Sequence, residues 1–142
     1  MGKAFKFIIP GKAQPKQRAR TVRNKYNGRS MSFTPDETVR YENLVKLSFL
    51  NSGGEMVSEG AISLTLTYFM EIPTSTSKKK QALMSLQEIK PTKKPDLDNI
   101  VKSIKDGLNK VAWHDDSQVV KLSAEKLYHP EAPRVVVSIE KL

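Results

Sequence analysis

Apolar and polar residues alternate along this chain in a way that marks its elements. Phe5, Phe7 and Ile9 recur at every second position and stop at Pro10-Gly11, which predicts a short strand followed by a turn. Thr34-Pro35-Asp36-Glu37 joins an N-cap, a proline suited to the first helical position and a glutamate placed for a capping box, so a helix starts there. Its apolar stripe is Tyr41, Leu44, Val45 and Ser48, widened by Leu47 and Leu50, and Asn51-Ser52-Gly53-Gly54 stops it. Ile62, Leu64, Leu66, Tyr68 and Met70 alternate with Ser63, Thr65, Thr67 and Phe69, the clearest strand in the sequence. Residues 71–95 read as a flexible polar connection holding a short helix near 79–86. From Leu97 the apolar positions 97, 100, 101, 104, 108 and 111 fall at helical spacing, with Asp98, Lys102, Lys105, Asp106 and Asn109 on the opposite face. Gly107 costs that helix about 1 kcal/mol relative to alanine. Two last strands, about 118–128 and 134–139, flank His129-Pro130-Glu131-Ala132-Pro133 and are expected to pair as a hairpin. The order β-α-β-(α)-α-β-β predicts an α+β fold, a single small domain over residues 1–142 with a mixed sheet covered by helices.

Composition supports one core and narrows the chemistry. A chain of 142 residues closes around a single hydrophobic centre, and 38% hydrophobic residues are enough to build it. No apolar run approaches the roughly eighteen residues of a membrane span, and the start of the chain lacks the apolar stretch and cleavage site of a secretory leader. The expected location is therefore the cytoplasm, with no membrane partner. The absence of cysteine excludes disulfide scaffolds, thiolate metal sites and cysteine nucleophiles, leaving oxygen ligands or two histidines for any metal.

Charge is concentrated at one end. Residues 1–35 carry five lysines, four arginines and no acid, which equals the net charge of +9 for the whole chain. The rest is neutral, and residues 11–33 or so form a basic arm in which Lys12, Lys16, Arg18, Arg20, Arg23, Lys25 and Arg29 are the candidate nucleic-acid contacts. A solvated tail that confers solubility has the same composition.

Acids cluster in two places, Asp96 and Asp98 at a helix start and Asp115 and Asp116 where that helix hands over to a strand. Because Pro95 keeps the backbone extended, the first two carboxylates can converge although they would diverge inside a helix. Their ordinary roles would be an N-cap and a dipole partner, and those of Asp115 and Asp116 a turn. If strand and helix pack so that the pairs meet, the unpaired carboxylates repel one another unless a hard cation neutralises them; magnesium or manganese suits such donors and zinc does not. Lys102 lies one turn beyond Asp98, either as an i,i+4 ion pair or as a cation aimed at a phosphate. His114 is open to packing, surface or ligand roles, and Trp113 to burial or base stacking. An acidic metal centre with a basic arm is suited to cutting a phosphodiester.

The run KPDLDNIVKSIKDGLNKVAWHDDSQVV, from Lys94 to Val120, resembles the signature of the RusA family of Holliday junction resolvases. It holds a proline-preceded DxDN, a lysine four residues after the second aspartate, a D-G-L-N segment, an aromatic and a double aspartate followed by Q-V. The likeness extends more loosely to IPGKAQPKQRAR and to the Thr34-Pro35 helix start. It implies a RusA-like fold and a structure-selective endodeoxyribonuclease of DNA recombination and repair, acting on four-way junctions by paired symmetric nicks. It places the metal-binding carboxylates on Asp96, Asp98 and Asp116, with Asp115 a possible fourth, and the catalytic lysine on Lys102. It also implies dependence on magnesium, for which manganese can substitute, no organic cofactor, a homodimer, and carriage by prophages. Lys110 departs from the pattern, since many members have glycine there. The alternative reading is a non-catalytic DNA-binding accessory protein whose acids serve only as caps and turns.

Overall fold

The structure is a computed structural model and describes residues 4–17, 20–33 and 35–142, with the side chains of Arg20, Ser32 and Phe33 outside the description. The elements are β1 (Ala4–Pro10), β2 (Arg20–Arg23), β3 (Ser30–Phe33), α1 (Asp36–Asn51), β4 (Ile62–Glu71), α2 (Lys78–Ser85), α3 (Leu97–Leu108), a 3-10 turn (Asp116–Gln118), β5 (Val119–His129) and β6 (Arg134–Lys141). The α+β class with a mixed sheet and three helices matches the sequence pattern. Among the described residues, no helix is long and apolar enough to cross a membrane.

The main sheet has the order β1-β6-β4-β5, with β6 antiparallel to both β1 and β4, and β5 parallel to β4. The expected hairpin of the last two strands is therefore corrected: β5 and β6 lie on opposite sides of β4. Burial explains the choice. Val135, Val137 and Ile139 of β6 are buried at every second position, as a central strand requires, whereas residues 120–123 of β5 are all exposed, which suits an edge. A second correction concerns the basic arm, which is not a plain loop. It contains the two-stranded β2-β3 hairpin, closed by hydrogen bonds from Gly28 N to Asn24 O and from Asn24 N to Arg29 O.

Helices α1 and α3 cover one face of the sheet. In α1 the buried residues are Thr38, Tyr41, Val45 and Phe49, so the stripe runs in steps of three and four residues and the expected Leu47 and Leu50 face solvent. The α1 N-cap is Pro35, one residue later than expected; Thr34 lies outside the described residues. Phe49 receives the rings of Phe5 and Phe7 edge-on at 5.5 and 5.6 Å, which ties α1 to β1. From α3, Ile100, Val101, Ile104 and Leu108 enter the core with Trp113 beyond its end. Each such aliphatic side chain contributes roughly 1.5–3 kcal/mol by leaving water.

Gly107 lies where α1 and α3 touch. A Cβ added there would sit 2.9 Å from the Glu42 carbonyl oxygen and 2.9 Å from Val45 Cβ. The missing side chain thus lets one backbone approach the other, at the helix-propensity cost noted above. We expect Gly107→Ala to lower stability by about 1–3 kcal/mol despite improved propensity, because the neighbour at closest approach is backbone. A denaturation midpoint equal to or above that of the parent would show that the helices separate freely.

Candidate active site

The first acid pair sits at the start of α3. Asp96 is the N-cap residue, with extended backbone, but its side chain makes no capping hydrogen bond. Asp98 lies in the first turn, and both carboxylates are exposed and free of hydrogen bonds and ion pairs among the described residues. The ordinary role of Asp96 as a side-chain cap is thus not realised. Lys102, exposed one turn further on, forms no ion pair with Asp98, so both charges remain available to a ligand. Two groups hold the chain that enters this turn. Lys126 of β5 donates from Nζ to the carbonyls of Lys93 at 2.8 Å and Pro95 at 3.1 Å, and Lys16 N donates to Asn99 O at 3.0 Å. A cavity of about 400 Å³ opens beside them, lined by Pro15, Lys16, Lys94, Pro95, Asp96 and Asn99.

The second pair lies past the other end of α3. Trp113 is fully buried and its Nε1 donates to Asp116 Oδ1 at 2.8 Å, which fixes that carboxylate to the core. The indole is therefore packing rather than an exposed stacking surface. Asp115 caps the 3-10 turn, accepting from Ser117 N at 2.9 Å. Hydrogen bonds from Ser117, aided by the Lys110 charge, hold the Asp115 carboxyl below its usual value. Gln118 knits the turn together. Its Oε1 accepts from His114 N and Asp115 N at 2.8 and 2.9 Å, and its Nε2 donates to Val57 O and Gly60 O at 3.0 and 3.2 Å. His114 is exposed, and His129 accepts from Glu131 N within its own turn.

The two pairs are separated by the length of α3, about 18 Å for twelve residues at 1.5 Å each. Asp96 adjoins Lys126, which is level with Tyr68 in the β4-β5 ladder, while Asp116 precedes Val119, which is level with Ile62 at the other end. The structure sets Asp96 and Asp98 two positions apart at the start of α3 and Lys102 one turn beyond Asp98. It does not bring Asp115 or Asp116 to them, and among the described residues no three His, Cys, Asp or Glu side chains stand close enough to share a metal ion. The donor chemistry nevertheless fits a hard cation, since Asp96 and Asp98, two positions apart at the start of α3, offer unengaged anionic oxygens.

The basic candidates divide by surroundings. Arg23, Lys25 and Arg29 are exposed on the hairpin, and Lys12 is exposed before it. Arg18 and the Arg20 side chain lie outside the described residues. Lys16 is committed elsewhere: its Nζ pairs with Glu42 at 2.8 Å and Asp106 at 3.0 Å, clamping the arm to α1 and α3. Burial works against that charge, but the two carboxylates outweigh it and hold the ammonium above its usual value.

Two residues escaped the sequence reading. Gln118 was visible in principle, because Asp115-Asp116-Ser117-Gln118 has capping-box spacing and the box is formed. Lys126 left a fainter trace as a cation in the otherwise apolar series Leu122, Ala124 and Tyr128.

Unpaired acids at a helix start and a basic hairpin occur in the same small domain. Residues 10–140 match the family described as Endodeoxyribonuclease RusA, and the chain belongs to that family. It is also 34% identical to Uncharacterized protein YqaN of Bacillus subtilis (strain 168), over 97% of this chain and 96% of that one.

Lys110, the departure from the family pattern, has φ +68°, a left-handed conformation that glycine adopts without strain. Lys110→Gly should therefore raise stability by about 1 kcal/mol, since its 3.9 Å pair with Asp115 is solvent-exposed and weak. A lower melting temperature would mean that the lysine stem contributes more than its backbone costs.

Proposed function

We propose that the protein is a homodimeric, magnesium-dependent endonuclease that resolves four-way DNA junctions by paired nicks. Family membership supplies the nuclease class, and the observation that carries the finer reading is the unpartnered set Asp96, Asp98 and Lys102 over the first two turns of α3. Asp96, Asp98 and Asp116 would hold the metal, which when bound neutralises phosphate charge and makes water a competent nucleophile. The residues of the chain do the rest. Lys126 holds the backbone that leads into Asp96, the buried Trp113 holds the Asp116 carboxylate, and Lys102 presents a cation to the phosphate oxygens as their charge grows. The exposed hairpin cations track the DNA backbone.

The dimer has a structural motive as well as a symmetric one. A two-fold pair offers two equivalent centres to a two-fold junction. It also lets the Asp96-Asp98 end of one α3 approach the Asp116 end of its partner's, which the length of α3 prevents within one chain. Manganese is expected to substitute for magnesium, since the donors are all oxygen. A non-catalytic accessory protein, in contrast, would bind junctions without regard to metal and nick none.

Asp98→Asn and Asp116→Asn homodimers should each bind a synthetic four-way junction and fail to nick it. Mixed dimers of the two variants should recover a single nick in one strand, because one of the two shared centres is then intact. Inactivity of the mixed dimer, with both variants folded, would mean that each centre is built within a single chain. Replacing Arg23, Lys25 and Arg29 by alanine should flatten the dependence of log affinity on log salt by up to roughly one unit for each phosphate no longer neutralised. An unchanged slope removes the hairpin from the interface.

A further inference from the structure

The β2-β3 hairpin forms a sheet of its own, apart from the four-stranded one. Its tip carries Tyr26 at 99% exposure, and Val22 and Met31, which face each other in its ladder, are exposed at 53% and 63%. A lone apolar side chain in water needs no explanation, but three on one short element mark a contact surface.

The tip is a built turn rather than a slack loop. Asn24 Oδ1 accepts from Tyr26 N at 2.8 Å and from Asn27 N at 3.4 Å, and Asn27 Oδ1 accepts from Arg29 N at 2.9 Å. Gly28 takes a left-handed φ of +67°, which closes the turn without strain. The backbone beneath Tyr26 is thus fixed before anything binds, so little ordering entropy opposes a contact by its ring.

Charge decides the kind of partner. Residues 20–33 contain no acid, and the exposed Arg23, Lys25 and Arg29 lie within three positions of Tyr26. The Arg23 guanidinium lies beside Gly28, with Nη2 3.8 Å from where a Cβ on that glycine would be, which keeps its charge at the tip. Such cations attract the phosphates of a nucleic acid, and the ring adds a flat surface that matches the face of a base. Intact duplex hides those faces in its stack and offers only base edges and backbone. They open where strands part.

We infer that Tyr26 stacks on an unstacked base at the branch point of the DNA, with Arg23, Lys25 and Arg29 neutralising the phosphates around it. The hairpin is then the element that tells branched DNA from duplex, and the Val22-Met31 face gives apolar cover to the neighbouring sugar and base. This inference rests on the junction reading above, and it adds the residue that selects the branch.

The test is binding in EDTA, where no cleavage intervenes, to a synthetic four-way junction and to a linear duplex of the same sequence. Tyr26→Ala should weaken junction binding roughly five- to a hundredfold and leave duplex binding unchanged. Tyr26→Trp, which keeps a stacking face, should restore the junction affinity. Circular dichroism should be the same for all three proteins, since the side chain lies almost wholly in water. No loss with alanine, an equal loss on both DNAs, a tryptophan that restores nothing, or a parent that binds the two DNAs alike would overturn the inference. Nicking in magnesium is scored separately. A parent that cuts no junction, while Tyr26→Ala still loses its preference for one, would uphold the hairpin contact and defeat the nuclease reading instead.

Discussion

The close approach of α1 and α3 at Gly107 is the constraint on which the rest of the site depends. With no side chain between the two backbones, α3 settles deep enough for Ile100, Ile104 and Leu108 to enter the core. Trp113 follows them in just past the helix end. The acids themselves are exposed or half-buried and make few contacts, so their positions are inherited from these apolar anchors. Packing, not electrostatics, holds the like charges where they are. This is the order of events expected when a functional site is unfavourable on its own and is supported by the scaffold.

Much of the architecture was legible because it rests on periodicity. The alternation from Ile62 to Met70 matches the observed strand to within a residue, whereas the helical spacing from Leu97 continues to Val111, three residues past the end of α3. Strand partners were not legible, since pairing depends on which edge each strand can satisfy, and the proximity of 118–128 to 134–139 in sequence suggested a hairpin that burial overrules. The β2-β3 hairpin escaped notice because its strands are only four residues long: Ser30-Met31-Ser32-Phe33 alternates, but too briefly to mark a strand, and Arg20–Arg23 holds one apolar residue. In α1, Leu47 and Leu50 were counted into the stripe although Phe49 is the side chain that reaches the core. A contact of Phe49 with Phe5 and Phe7, forty residues away, cannot be seen locally.

The site was legible in its residue types and less so in its geometry. Asp96, Asp98 and Lys102 lie within the first two turns of one helix because their spacing says so, but the distance from them to Asp116 depends on the direction of α3 against β5. Lys16 shows the same limit. Among the basic residues of the arm it looked like any other, yet Glu42 and Asp106 claim it, and both lie on helices far along the chain. Sequence composition counts such a cation toward nucleic-acid binding when its work is internal.

The parallel pairing of β4 with β5 obliges the chain to cross from one end of the sheet to the other, and residues 72–118 are that crossing. Its second half is anchored by α3 and Trp113, but its first, through α2, buries no residue fully until Pro91. Insertions or deletions there would alter the rim above Pro95 while leaving the ladder and the helix untouched. One connection therefore contains both the rigid frame of the chemistry and a stretch on which related proteins can diversify what they admit to it.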